Sequence, residues 1–342
     1  MRTRVITFFE CYKSCRVSGL APVLLLCTVG FFSGCVYADD PVDPYLITVP
    51  QPSIFDSLDH SRDFLSEKIV NYSQRIDHFF GDKRYFQEHN NSIIQVEVST
   101  NMEEGGNVTS SLNGIAKLDL PAATKRFQLV LESDAEKNTT GEINKDQPVV
   151  TNKAISAKKL AASLRYEVPE EEHWHFSSET GVNVQFPLDP FARLRGRYAT
   201  PLDEWRMTLA ETVFWFSTIG LGQTTQLDME RIISPPLLFR ATSTVTCYES
   251  PQSCGLRQDL STFQTLNERT ALIYQASVLG VDKPQLETTN YLLLLRYRYR
   301  VHKDWIFVEV SPQLNFPRTD DFRLNALLFL RLEMIFGGYN KF

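Results

Sequence analysis

His175, Ser177 and, fourteen residues past the histidine, Asp189 are residue types that can do nucleophilic chemistry. A histidine that takes the proton of a serine hydroxyl, itself oriented by a carboxylate, makes an acyl-transfer site. The run Glu170-Glu171-Glu172-His173-Trp174-His175 has a second reading, because His173 and His175 would share one face of a strand below three carboxylates. No further ligand is assignable and only six histidines exist, so neither a metal nor a cofactor is expected.

The third set is basic. Arg193, Arg195 and Arg197 alternate along one run and Arg296, Arg298 and Arg300 along another, with Arg206, Arg240, Arg269, Arg323 and Arg331 elsewhere. Asp228, Glu230, Glu309 and Glu333 are expected on the same inward faces. Two readings stay open. The charges could pair to fill an interior, as buried charge requires, or the arginines could line a constriction that selects anions.

What must carry these residues is a set of long strands. In Tyr291 to Val301 one alternate set is Tyr291, Leu293, Leu295, Tyr297, Tyr299 and Val301, and the other ends in the three arginines. Ile306, Val308, Val310, Leu314 and Phe316 then oppose Glu309, Ser311, Gln313 and Asn315. Phe322 to Phe336 repeats the pattern with an unbroken apolar face from Leu324 through Met334. Strands of a soluble sandwich usually run about 5 or 6 residues. These reach the roughly 9 to 11 that a tilted strand needs to cross a bilayer. Aromatics such as Trp174, Phe176, Tyr297, Tyr299, Trp305 and Phe336 fall where interfacial girdles stand.

The pattern resembles the Gram-negative outer-membrane β-barrels, over roughly residues 92 to 342 and at the level of architecture. Leu330, Leu332, Met334 and Phe336 are similar to the C-terminal assembly signal of those barrels, although Gly337 to Phe342 run on past it. The resemblance implies an all-β, transmembrane antiparallel barrel in the bacterial outer membrane. Its implied partners are outer-membrane lipid, lipopolysaccharide and the barrel assembly machinery. Thirteen candidate strands can be read, centred on Val96, Gly114, Leu129, Ser163, Thr180, Arg195, Leu209, Leu227, Ala241, Leu272, Leu295, Val310 and Leu328. Bacterial barrels have even counts. The runs at Val96 and Gly114 are the least lipid-like, so about 12 strands are expected, with 14 as the alternative. Counting back from a periplasmic C-terminus then leaves some long connections on the periplasmic side, against the usual pattern.

The first 38 residues read as a secretory signal peptide, with Arg2, Arg4, Lys13 and Arg16 before an apolar run and Val36-Tyr37-Ala38 at its end. Phe32-Ser33-Gly34-Cys35 resembles a lipobox, which would make Cys35 an acylated first residue. Residues 39–52, with four prolines, are expected to be an extended linker. Residues 53–90 hold an amphipathic stripe of Leu58, Leu65, Ile69, Tyr72, Ile76 and Phe79, a helix expected on the periplasmic side against the barrel rim. Its stretch 53–81 could alternatively plug the barrel or hold a periplasmic partner. Residues 91–342 are the barrel.

The chain carries 35 basic and 41 acidic residues, net −6, and four of the bases but one of the acids fall in the first 38. The remainder is net −9, which offers nothing to nucleic acid. Cys247 and Cys254 are the only cysteines outside the leader and are expected to pair in an exported protein. His175 and Ser177 are also similar to the His-x-Ser pair of outer-membrane phospholipases and lipid A deacylases, which usually place Asn where this chain has Ser178. Alternation turns both residues toward the lumen, whereas a lipid hydrolase works on the lipid side. The expected function is a non-catalytic, monomeric barrel acting as a narrow arginine-rich pore or an envelope structural protein. A lipid hydrolase and a soluble periplasmic β protein are the alternatives.

Overall fold

The computed structural model of the chain describes Phe79 and residues 92–119, 126–133, 135–140, 160–168, 173–250, 252–302 and 305–337. The signal peptide at 1–38 with Cys35, the linker at 39–52 and, except for Phe79, the helix at 53–90 lie outside these residues.

The described chain is a closed antiparallel barrel of fourteen strands. They are β1 (Ile93–Glu103), β2 (Val108–Asp119), β3 (Phe127–Ser133), β4 (Leu160–Glu167), β5 (Trp174–Val184), β6 (Asp189–Leu202) and β7 (Trp205–Phe216). The second half is β8 (Gly220–Ser234), β9 (Leu237–Tyr248), β10 (Ser253–Asn267), β11 (Thr270–Val281), β12 (Glu287–His302), β13 (Ile306–Pro317) and β14 (Asn325–Gly337). Each strand pairs with its neighbours in sequence, and β14 returns to β1 in a register from Ile93↔Gly337 to Glu103↔Leu327. Closure leaves no strand edge, the condition for spanning hydrocarbon with strands.

Alternation sets the two faces. On β12, Leu292, Leu294, Arg296 and Arg298 are buried inward while Tyr291, Leu293, Leu295 and Tyr297 are exposed outward. On β13 and β14 the inward residues are Phe307, Glu309, Ser311, Gln313 and Asn315, then Leu327, Phe329, Arg331, Glu333 and Ile335. An apolar outside, charges inside and an even strand count are the architecture of a bacterial outer-membrane β-barrel.

The count corrects the expected 12 strands. The runs at Val96 and Gly114 are β1 and β2, and β10 is the strand that alternation hides. Its outward residues alternate Leu256, Gln258, Leu260, Thr262 and Gln264, so amides and a hydroxyl interrupt the apolar signal. With fourteen strands the long connection 134–159 moves to the end opposite the chain termini. The terminal end holds the two-residue turns 203–204, 235–236 and 268–269. Short turns beside the termini and longer connections opposite them match the usual periplasmic and outer ends.

Cys247 and Cys254 are bonded, and they face each other across the β9–β10 pair. A bridge closing so short a loop removes little freedom from the unfolded chain, so reduction is expected to cost about 2 kcal/mol. Denaturant unfolding with and without reductant measures this.

Candidate functional site: the barrel lumen

Each end of the lumen carries an apolar group. At the terminal end Phe79 packs against Leu238, Phe263, Ala271 and Ile273 of β9–β11 and against Ile93, Phe307 and Ile335 of β1, β13 and β14. Its ring meets Phe307 edge-on at 5.7 Å. All seven partners point inward, so Phe79 lies within the barrel end rather than on its rim. At the opposite end the short helix α1 (Ala135–Thr140) leaves β3 and reaches β7 and β8. Ala135 is buried there among Ala161, Phe191, Phe214 and Phe216. Phe214 lies so close over Gly222 that a Cβ there has no room.

Between these ends the lumen is charged, and its walls differ. The wall from β12 round to β1 is sealed by ion pairs. Arg298 Nη1 lies 2.5 Å from Glu333 and 3.4 Å from Glu309, with its guanidinium 4.3 Å over the Phe307 ring. Arg331 reaches Glu309 at 2.6 Å and Glu97 at 3.5 Å, and Arg296 reaches Glu309 at 3.2 Å. Gln95 donates to Glu333, and Asn113 donates to Glu97 at 3.0 Å. Register explains the set: Arg298 stands opposite Glu309, Glu309 opposite Arg331, and Glu97 opposite Glu333. The last pair is of like charge, and each member is held by its own arginine. Arg298 and Glu333 are both 0% exposed.

A second cluster holds α1. Arg193 Nη2 bridges Glu132 and Glu179 at 2.6 Å each, while its Nη1 donates to Thr139 Oγ1 of α1 at 2.6 Å. Arg165 donates to Glu179 at 2.8 Å, and Ser163 also donates to it. On β7–β10, Arg240 meets Glu230 at 2.5 Å, with Arg206 at 3.7 Å, and Arg257 pairs with Asp259 at 2.7 Å. Thr242 and Gln226 donate to Asp228. On this side Arg195, Arg197, Arg206, Gln226, Thr242 and Thr244 point inward and are half-buried, unlike the closed β12–β1 wall.

Three expected lumen residues lie elsewhere. Arg323 sits in the β13–β14 turn, before β14 begins, and is exposed; its N–H donates to Asp320 O at 2.9 Å. Arg300 is at the terminal rim, where its side chain donates to Glu268 O. Arg269 is exposed in the β10–β11 turn.

The hydrolase residues are not assembled. His175 and Ser177 are inward neighbours on β5, but Asp189 pairs with Asn183, six residues further along that strand than Ser177. At about 3.3 Å per residue this is roughly 20 Å of strand. Asp189 accepts from Asn183 at 2.8 Å, Ser217 at 2.7 Å and the Thr218 N–H and hydroxyl at 3.1 Å each. It clamps the β7–β8 turn to β5 and β6. No group of three or more His, Cys, Asp or Glu suited to a metal occurs among the described residues.

Several site residues went unread in sequence: Glu97, Glu132, Glu179, Arg165 and Lys117, the last paired with Glu167 at 3.2 Å across the inner wall. They lie on β1–β5, where the outward faces are short or interrupted. Period-two spacing from an accepted strand, as in Glu97 opposite Glu333, is the signal that locates them.

No family model matches the chain, and no curated protein matches it. Among solved structures it is similar to a bacterial polysaccharide outer membrane secretin, at 13% identity and TM-score 0.45, covering 72% of this chain and 99% of that one. It is also similar to Pseudomonas putida OprB, at 10% identity and TM-score 0.44, covering 75% and 97%. A third is the Acinetobacter baumannii channel DcaP, at 8% identity and TM-score 0.41, covering 72% and 96%. The description of this chain as a barrel rests on its own topology and faces.

Proposed function

We propose that this outer-membrane β-barrel is a non-catalytic, narrow channel whose solute path follows the β5–β9 wall. The observation that carries the reading is the asymmetry of the lumen. The β12–β1 wall has its charges buried in ion pairs, while Arg195 and Arg197 are half-buried on the wall that also carries Thr242, Thr244 and Gln226. A basic, hydroxyl-lined strip favours small anions, because guanidinium forks match carboxylate and phosphate oxygens.

Single-channel recording of the refolded protein in a planar bilayer under a salt gradient tests this. Discrete openings with anion preference are expected, and Arg195→Ala with Arg197→Ala is expected to lower the anion-to-cation permeability ratio severalfold. Arg296→Ala is expected to leave that ratio nearly unchanged, because Arg296 belongs to the sealed wall. A folded barrel without openings overturns the channel reading and leaves an envelope structural protein.

A further inference from the structure

The outside of the barrel is as uneven as the inside. From β12 to β14 the outward residues are apolar or aromatic, including Leu293, Leu295, Val308, Val310, Leu328 and Leu330. On β7–β10 they are not. Among the described strand residues the outward carboxamides are Gln223, Gln258 and Gln264, and the outward carboxylate away from a strand end is Glu211. Elsewhere the outward polar groups are hydroxyls, such as Thr100 bonded to Ser110.

These side chains pair in the plane of the wall. Thr225 donates to Glu211 Oε2 at 2.7 Å, Ser243 to Gln258 at 2.5 Å, and Tyr274 of β11 to Gln264 at 3.3 Å. Glu211 Oε1 is buried with no hydrogen-bond partner. Gly196 stands opposite Glu211 on β6, and a groove of about 420 Å³ lined by Trp174, Phe176, Leu194, Tyr198, Glu211 and Val213 opens beside it. Glu211 lies between Trp205 and Trp215, the outward tryptophans near either end of β7. Its depth is therefore that of hydrocarbon, not of lipid headgroups. Acyl chains offer nothing to a carboxylate at that depth, nor to the Gln258 amide in the middle of β10.

We propose that the β7–β11 face is the surface through which two copies of this chain associate side by side in the membrane. A two-fold contact brings a surface against itself, so it must be self-complementary. Amides and hydroxyls donate and accept alike, and this band is built of them around one carboxylate; the outward Arg231 sits at the end of β8, paired with Glu204. Five strands about 4.8 Å apart under an apolar band about 25 Å tall give each copy a face of roughly 500 Å². Two copies therefore bury at most on the order of 1,000 Å², the lower limit for a specific contact. In the pair, the Gln258 amide of one copy meets the hydrogen-bonded Thr225 and Glu211 of the other.

The test is native mass spectrometry of the full chain released from lipid nanodiscs, with heat-modifiable gel mobility reporting that each variant is folded. A dimer is expected for the natural sequence. Glu211→Leu with Gln258→Leu is expected to raise its dissociation constant about tenfold or more, while Leu293→Ala with Leu330→Ala on the opposite wall leaves it unchanged. Should the first pair fail to fold, crosslinking decides: Ser243→Cys is expected to trap dimers and Leu330→Cys is not. A monomer throughout, a dimer weakened equally from either wall, or a lipid or foreign protein held by a single copy overturns the proposal.

Discussion

Arg298→Ala is expected to destabilise the folded barrel by about 3–5 kcal/mol, the loss that follows when one partner of a buried ion pair is removed. Arg298 is fully enclosed, and its removal leaves Glu333 with the Gln95 amide and the charge of nearby Arg331, and leaves Glu309 to Arg331 and Arg296. The remaining charge is not solvated by the lumen, so it must be protonated or the wall must open. The contact with the Phe307 ring at 4.3 Å is lost as well. Denaturant unfolding of the protein in detergent, followed by tryptophan fluorescence, reads the change. Arg298→Met with Glu333→Gln is expected to recover much of the loss, since replacing both charges removes the unpaired one. A loss under about 1 kcal/mol would show that water reaches this wall, because exposed pairs contribute no more than that.

The second large effect concerns α1. Replacing Ala135–Thr140 by a short glycine-serine link is expected to raise single-channel conductance roughly two- to threefold, because conductance follows the free cross-section of the narrowest stretch. The helix spans from β3 to β7 and β8 and fills the space beside Phe191, Phe214 and Phe216. Thr139→Val removes the acceptor for Arg193 Nη1 and the hydroxyl's own bond to Ala135 O, and keeps the bulk. It is expected to produce brief openings rather than a wider pore. Unchanged conductance in the deletion would place the constriction at Phe79 instead.

Much of the barrel was legible because period two survives wherever one face meets lipid and the other meets charge. β12, β13 and β14 read correctly along their middles for this reason, and Arg296, Arg298 and Arg331 followed from their parity, whereas Arg300 and Arg323 at the ends of the runs did not. β10 was hidden because Gln258, Thr262 and Gln264 face outward and erase the contrast on which the reading depends. The sealing of the β12–β1 wall was not legible. Whether an inward arginine is enclosed or faces open space depends on its cross-strand register, as with Arg298 opposite Glu309, and alternation along one strand carries no register. Asp189 shows the same limit. Spacing suggested a partner for His175, whereas pairing with Asn183 placed it at the other end of β5.

The seam between β1 and β14 joins the two ends of the barrel sequence, and Gln95 and Glu333 are 238 positions apart. Contacts of such separation form late, since a long loop must close before they contribute anything. The Glu97–Arg331 and Gln95–Glu333 links cross this seam, and the Arg298–Glu333 pair depends on β14 being in place. Until the last strand arrives, the inner wall on one side ends in carboxylates without arginines and on the other in arginines short of carboxylates. A chain halted there leaves mismatched charge on its inner wall, so an unfinished cylinder is penalised beyond its missing backbone bonds. The ion-pair wall therefore acts as a check on completion as well as a source of stability. Loss of β14 is felt as far back as Glu97, whose arginine that strand carries.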